Sequence, residues 1–295
     1  MPSLVERVAA ETLRWLPRKR LSRGLGRIAS SAPSRAVLDR GIDLYCKAYD
    51  VDLDEAIVPS GGFRTFDDFF TRELRPGQRP IEADANALVS PADGKVESAG
   101  PIERGARFTV KGCEYDVGAL LGDPADAGRF EGGWYCIVYL SPRDYHRVHA
   151  PVGGPVLAVR HVGGTLLPVN GFGVKNYPGL FSRNERVCVF QQSEHHGEVA
   201  TVMVGAIGVG RISVSFDETI MTNVGRGPTT VRYQPGRGPS LERGGELGKF
   251  HLGSTAIVLT GPDHPVQAPW QSGDRVWMGQ RLATRSGGAG EGTAE

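Results

Sequence analysis

The sequence of 295 residues lacks any apolar run long enough to span a bilayer, and no hydrophobic stretch typical of a secretory signal follows its N-terminus. Any membrane contact is therefore expected to be peripheral. Only four cysteines are present, widely spaced and without a C-x-x-C pair, so neither a zinc site nor a redox motif is indicated. This favours a reduced, cytoplasmic setting. The glycine patterns of P-loop and dinucleotide-binding proteins are also missing, so nucleotide cofactors have no support.

Glycine and proline, in contrast, are plentiful, with 41 and 20 residues, and they separate short apolar runs rich in valine, isoleucine and tyrosine. This pattern predicts a β-rich α+β protein with a compact β-barrel or sandwich core. The predicted strands are Phe108–Val110, Tyr135–Leu140, Val156–Val162, Val187–Phe190, Val199–Val204, Arg211–Phe216, Thr229–Tyr233, Thr255–Leu259 and Arg275–Met278.

The N-terminal residues form a basic, amphipathic arm. Residues 1–40 carry nine basic and three acidic side chains, a net charge of +6 that leaves −5 for the remainder. Apolar residues recur there at helical spacing, and Ser34 and Thr65 are candidate helix N-caps. Such helices either lie in an anionic membrane interface or pack on the protein body. We expect a helical membrane-association region at 1–60, a β-rich catalytic domain at 61–285 and a disordered tail at 286–295.

Three segments contain residue types suited to catalysis, although each is weak alone. Pro91-Ala92-Asp93-Gly94 is also an ordinary turn sequence, and Gly253-Ser254-Thr255 is also an ordinary entry to a strand. His146 and His149 suit acid–base chemistry or, less well, a metal site, for which no further ligand is placed nearby. Asp, His and Ser together permit a charge relay, but the lack of G-x-S-x-G disfavours a conventional serine hydrolase.

The same segments closely resemble the phosphatidylserine decarboxylases, a family of pyruvoyl enzymes. The resemblance extends from about residue 15 to about residue 283, and the loops at 100–130 and 222–246 diverge and are expected to bear little on the chemistry. The matching motifs are Pro91–Gly94, Leu140–His149 and Leu252–Thr255, supported by Arg64–Phe70 and Leu180–Val187.

The resemblance implies a self-processing enzyme. Asp93 would orient His149, and His149 would take the proton of the Ser254 hydroxyl, which attacks the Gly253 carbonyl. Chain cleavage at Gly253–Ser254 and loss of ammonia would leave a pyruvoyl cofactor derived from Ser254, with no metal. That group would act as an electron sink while phosphatidylserine loses carbon dioxide to become phosphatidylethanolamine. His146 is the candidate for substrate handling or protonation.

The resemblance also implies the partners. The large chain, 1–253, and the small chain, 254–295, would stay together as a heterodimer, and a homo-oligomer of that heterodimer is compatible with the sequence. Phosphatidylserine and an anionic membrane surface would be the ligands, at the cytoplasmic face of the cell membrane. Three alternatives remain: a relative acting on another lipid carboxylate, such as an ether-linked phosphoserine lipid, a non-catalytic membrane-binding β-domain, and a nucleic-acid binder, which the net acidic body disfavours.

Overall fold

The structure, a computed structural model, describes residues 18–208, 211–223, 227–251 and 254–286. Residues 1–17, Gly253 and the tail beyond Ser286 lie outside the described residues, as do the predictions made for them.

Six α-helices and one 3₁₀ helix are present in the described part of the chain, most of them short. The long ones are α1 and α2, which begin the described chain. The helices are α1 Arg18–Ala29, α2 Arg35–Tyr49, α3 Phe66–Phe70, α4 Val117–Leu121, the 3₁₀ helix Pro124–Arg129, α5 Gly171–Asn176 and α6 Leu180–Arg183.

Strands dominate the rest. They are β1 Ala87–Val89, β2 Gly94–Pro101, β3 Arg107–Val110, β4 Cys113–Asp116, β5 Trp134–Leu140, β6 Arg147–His149, β7 Gly154–Val162, β8 Arg186–Ser193, β9 Gly197–Gly205, β10 Arg211–Val214, β11 Thr229–Arg232, β12 Ser240–Leu241, β13 Glu246–His251, β14 Ser254–Thr260, β15 Val266–Gln267, β16 Arg275–Val276 and β17 Arg281–Arg285. All nine predicted strands are confirmed, with shifted ends.

The main sheet has the strand order β11-β7-β8-β9-β14-β5-β2-β16, with β12 pairing β7 as well. Two three-stranded sheets, β10-β13-β6 and β1-β17-β15, and a β3–β4 hairpin accompany it. The β-rich α+β class is confirmed. The predicted barrel or sandwich core is not confirmed. In the part of the chain that is described, β11 and β16 are edge strands that do not pair with each other, so the main sheet is not a closed barrel.

Alternation of side chains along β14 explains why this strand is central. Ile257 and Leu259 point to one face of the main sheet, into a core shared with the β3–β4 hairpin and α4–α6. Ala256 packs on the opposite face against β10, β13 and β6, and Val258 packs there against β1 and β17. Both faces are covered, so all seven residues of β14 are buried. This matches the uninterrupted apolar run in the sequence.

Helices α1 and α2, called the helical arm from here on, pack on the rest of the chain through a small aromatic cluster around α3. Thr65 caps α3 through a capping box with Asp68, which confirms the predicted cap. Ser34 stands at the N-cap of α2 without a side-chain hydrogen bond. Leu38 and Ile42 of α2 are buried against α3. Within the described ranges, none of the helices has the length and apolar character needed to cross a membrane.

Candidate functional site

Ser254 is the first residue of β14 and is 1% exposed. Its backbone lies between Leu140 of β5 and Gly205 of β9 in an unbroken antiparallel register. Its side chain shares the face of Ala256, which packs toward β6 and β13. Its Oγ is buried and has no hydrogen-bond partner among the described residues. Thr255 Oγ1 beside it is also buried and unpartnered, so what distinguishes Ser254 is the place of its strand end next to the Leu140–His149 motif.

The Leu140–His149 segment, called the histidine motif from here on, lies next to Ser254. It begins at Leu140, the partner of Ser254, and ends in β6, which pairs with β13. The Phe250 N–H donates to the His146 carbonyl at 3.0 Å. Pairing of β13 with β6 therefore brings the residues that precede Gly253 beside the histidine motif, although about a hundred residues of sequence separate the two segments.

His149 is fixed at both ring nitrogens. Its Nδ1 lies 2.8 Å from the Gly244 carbonyl, which can only accept, so Nδ1 carries the proton. Nε2 is then the basic nitrogen, and the Tyr145 hydroxyl donates to it at 3.1 Å. Burial lowers the pKa of His149, partly offset by the Gly244 carbonyl and by the charge of Glu246. The ring is therefore neutral at pH 7, the form that a general base requires.

His146 is completely buried and has one free basic nitrogen. Its Nδ1 donates to the Asp144 carbonyl at 2.7 Å, and its Nε2 has no partner within the described ranges. The Phe70 ring packs on it with 4.0 Å between ring centroids. Burial, reinforced by the nearby charge of Arg72, lowers the pKa of His146 to about 3. His146 is a neutral base in this state, and it becomes a proton donor only when an anion near it stabilises the charged ring.

Asp93 is anchored by groups other than His149. Both of its carboxylate oxygens accept from Arg79 at 2.7–3.0 Å, and Oδ1 also accepts from the Met278 N–H at 2.8 Å. The following Gly94 starts β2, where a Cβ would lie 2.4 Å from the Tyr139 carbonyl oxygen, so only glycine permits this approach. The turn is tied to the histidine motif, because the His149 N–H donates to the Pro91 carbonyl at 2.8 Å.

All three motifs therefore meet at one place, yet the expected charge relay is only partly assembled. Within the described ranges, Asp93 makes no hydrogen bond to His149, and neither histidine is hydrogen-bonded to Ser254. Burial lowers the pKa of His149, and the charge of Asp93 offsets this only slightly, less than the Gly244 carbonyl and Glu246 do. Gly253, the other half of the predicted cleavage site, lies outside the described residues.

Two cavities adjoin the site. A polar cavity of about 200 Å³ is lined by Arg72, Arg79, Asp93, Arg143, Tyr145 and Arg275, among others. An apolar groove of about 710 Å³ is lined by Leu25, Ile28, Val37, Tyr45, Phe66 and Phe70, among others. Phe70 belongs to the groove and contacts His146, so the groove reaches the site from the helical arm.

Several residues of the site were not predicted from the sequence. Tyr145 lies inside the histidine motif, whose spacing could have suggested a contact with His149 four residues on. No pattern in the sequence around Arg79 indicated that it would bind Asp93. Gly244 lies in the loop 222–246, which was expected to bear little on the chemistry, yet its carbonyl holds His149. Gly244 has a φ of +78°, and the Gly244 N–H donates to the Ala150 carbonyl, so the loop is fixed beside β6.

Several buried polar atoms without a hydrogen-bond partner lie at this end of the sheets, among them Ser254 Oγ, Thr255 Oγ1 and His146 Nε2. No cluster of three His, Cys, Asp or Glu side chains suited to a metal occurs in the described ranges.

Comparison with known proteins agrees with the motifs. The profile of the phosphatidylserine decarboxylase family matches residues 66–284. The chain is 42% identical over 253 residues to a phosphatidylserine decarboxylase proenzyme of Shewanella halifaxensis, covering 84% of this chain and 87% of that protein. It is 41% identical over 263 residues to a protein of the same name from Bordetella avium, covering 88% of each. The chain belongs to the phosphatidylserine decarboxylase family.

Proposed function

We propose that this protein cleaves itself between Gly253 and Ser254, forms a pyruvoyl group from Ser254, and converts phosphatidylserine to phosphatidylethanolamine at a membrane surface. The observation that carries the proposal is the buried, unpartnered Ser254 Oγ at the start of β14, next to the histidine motif. Family membership and the proenzyme names of the relatives support it.

Self-cleavage begins with proton removal. Neutral His149 accepts the Ser254 Oγ proton at Nε2, after that nitrogen exchanges the Tyr145 hydroxyl for the serine hydroxyl. Oγ then attacks the Gly253 carbonyl carbon, and His149 returns the proton to the Ser254 nitrogen as the Gly253–Ser254 amide bond breaks and the ester forms. Loss of the Ser254 α-proton breaks the ester, and Gly253 leaves as a carboxylate. Water replaces the nitrogen of residue 254, which departs as ammonia.

The two chains are held together by sheet pairing. In the proposed small chain, β14 is hydrogen-bonded to β9 on one side and β5 on the other, while β16 pairs with β2 and β17 pairs with β1. All of these partner strands belong to the proposed large chain. The buried residues Val258, Leu259 and Leu282 add apolar contacts. These pairings support a heterodimer that persists after cleavage.

The pyruvoyl group, once formed, supplies a carbonyl that combines with the substrate amine and withdraws electrons while carbon dioxide leaves. The chain's own residues do the remaining work. The free Nε2 of His146 is our candidate for moving a proton at the substrate α-carbon, and the substrate's phosphate would favour the charged ring that donates it. The arginines of the polar cavity, Arg72, Arg143 and Arg275, suit an anionic headgroup.

The membrane surface is the proposed location of the reaction, on its cytoplasmic face. Ile28, Val37 and Leu44 of α1 and α2 are 71%, 62% and 55% exposed, although they are large and apolar. The apolar groove between these helices and His146 suits acyl chains that stay partly in the bilayer. The basic arm favours an anionic lipid surface.

The test is the intact mass of the purified wild type and of Ser254→Ala under denaturing conditions. Two fragments that meet at Gly253/Ser254, the smaller one carrying pyruvoyl in place of serine, would support processing, and Ser254→Ala would remain whole. Release of carbon dioxide from vesicles containing phosphatidylserine, compared with ether-linked phosphoserine lipids, then defines the substrate. A folded, membrane-binding wild type that stays at 31.7 kDa would overturn the proposal.

A further inference from the structure

A second cluster of polar side chains lies at the end of β13, two residues before Gly253. His251 Nδ1 lies 2.9 and 3.0 Å from the two carboxylate oxygens of Asp67 in α3. On the other side of the ring, Nε2 lies 3.1 Å from Ser213 Oγ in β10. The three residues come from separate elements of the chain, so tertiary folding alone brings them together.

Both partners of His251 are held in place. Asp67 also accepts from Arg211 at 3.2 Å, and its own carbonyl accepts from the Thr71 N–H at 2.8 Å in α3. Burial raises the pKa of Asp67, but the hydrogen bond and charge of His251, together with Arg211, outweigh burial and hold the pKa below its ordinary value. Asp67 is therefore a carboxylate at pH 7, and His251 Nδ1 must carry a proton toward it.

This cluster lies where the described part of β13 ends. The backbone of β13 is paired with β6 up to Lys249 and with β10 up to His251, whose register partner is Arg211. Beyond it, the chain must reach Ser254, whose backbone is held by β5 and β9. The segment 252–253 therefore joins two sheets, and the fixed points at its ends are His251 and Ser254. Attack of Oγ on the Gly253 carbonyl requires that carbonyl to be placed to within a fraction of an ångström.

We propose that Asp67, His251 and Ser213 form a clamp that positions the Gly253 carbonyl for attack by Ser254. His251 and Asp67 are positioning residues, because they act through the backbone of 252–253 and not on the reacting atoms. The sequence of contacts, carboxylate to histidine to serine, is the same as in the catalytic triad of serine hydrolases. Ser213, however, lies inside the paired strand β10 and not on the sharp turn that exposes a hydrolase nucleophile. The clamp also connects the cleavage segment to the helical arm, since Arg211 bonds both Asp67 and Ser30. This inference rests on the proposed self-cleavage.

The experiment follows conversion of newly made chain into two fragments over time, on denaturing gels, for wild type, Asp67→Asn, His251→Gln and the double variant. Loss of one charge-assisted hydrogen bond is expected to slow processing by roughly tenfold in each single variant. The double variant should be no slower than either single variant, because all remove the same contact. Ser215→Ala is the matched control: its hydroxyl also bonds β13, at the Glu246 carbonyl, but away from His251. It should process at the wild-type rate.

Two further readouts separate positioning from general damage. The thermal unfolding midpoint of each variant in the Ser254→Ala background should fall by no more than the few degrees expected for one lost hydrogen bond, and carbon dioxide release per processed site should change less than about twofold. If wild type processes and Asp67→Asn and His251→Gln process equally fast, the clamp is wrong and self-cleavage stands. Additive slowing in the double variant would also overturn the clamp. If wild type never cleaves, the proposed function itself fails.

Discussion

The hydroxyl of Tyr145 donates to Nε2 of His149 at 3.1 Å, so the nitrogen proposed to accept the Ser254 proton is already occupied. The opposite nitrogen is held by Gly244, and this second bond fixes the tautomer. Tyr145 therefore stabilises the ring in its resting position, while Gly244 keeps it competent as a base.

Tyr145→Phe tests this division. The variant loses a buried hydrogen bond, so its free energy of unfolding should fall by about 1 kcal/mol, measured by urea denaturation in the Ser254→Ala background. Processing should change by less than about tenfold, because Gly244 still orients the ring. His149→Ala should stay uncut. A Tyr145→Phe chain that also stays uncut would assign the hydroxyl a direct part in proton transfer.

Asp93→Asn should affect both stability and processing. Arg79 has a side chain only 7% exposed, and the substitution leaves it with Glu55 as its remaining anion. We expect a loss of about 2–3 kcal/mol in unfolding free energy. Glu55→Gln removes the other, more exposed partner and should cost less than about 1 kcal/mol. Asp93→Asn should also slow fragment formation, because the charge that raises the pKa of His149 is gone. Unchanged processing would limit Asp93 to anchoring Arg79.

His146→Gln should separate the two reactions. Processing is proposed to use His149, so the chain should still be cut. Carbon dioxide release per processed site should fall by about 100-fold or more, the usual effect of losing a general acid–base group. The readouts are a gel for cutting and vesicle turnover for decarboxylation. An uncut His146→Gln chain with normal folding would show that His146 is needed for self-cleavage.

The same histidine gives stability a defined pH dependence. The pKa of His146 is about 3 in the folded chain and 6.5 ordinarily, so above pH 6.5 the ring is neutral in both states. Between pH 6.5 and 3 the unfolded chain binds a proton that the folded chain excludes. Unfolding free energy should therefore fall with acidification by about 1.4 kcal/mol per pH unit from this group. Urea titrations of Ser254→Ala should show a steeper decline than Ser254→Ala/His146→Gln, and parallel curves would contradict the burial argument.

The exposed apolar residues of the arm should govern vesicle binding. Replacing Ile28, Val37 and Leu44 with serine should weaken partition onto anionic vesicles by about tenfold or more, because each buries a large side chain in the interface. Ile57→Ser/Val58→Ser is the control, since these residues are also exposed but lie outside α1 and α2. Processing should be unchanged in both variants. Equal binding of wild type and the triple variant, measured by co-sedimentation, would place the membrane contact elsewhere.

The local elements could be predicted well because local patterns specify them. Thr65 and Asp68 form the cap that their spacing indicates, and the apolar run after Ser254 forms β14. Two strands that border the site, β6 and β13, were not predicted, because they have only three and six residues with little alternation and are stabilised by pairing with each other. The predicted barrel or sandwich core is not confirmed, because that arrangement depends on strand order, which short alternating runs do not encode.

The sequence by itself determined the family, the three motifs and the residue types that the chemistry needs, because these are carried by contiguous segments with specific spacing. Only the tertiary structure decided the partners of those residues. It joined Asp93 to Arg79, His149 to Gly244 and Tyr145, and His251 to Asp67. The contacts of His149 with Gly244 and of His251 with Asp67 cross long stretches of chain and depend on the fold, and burial also lowers the pKa of both motif histidines.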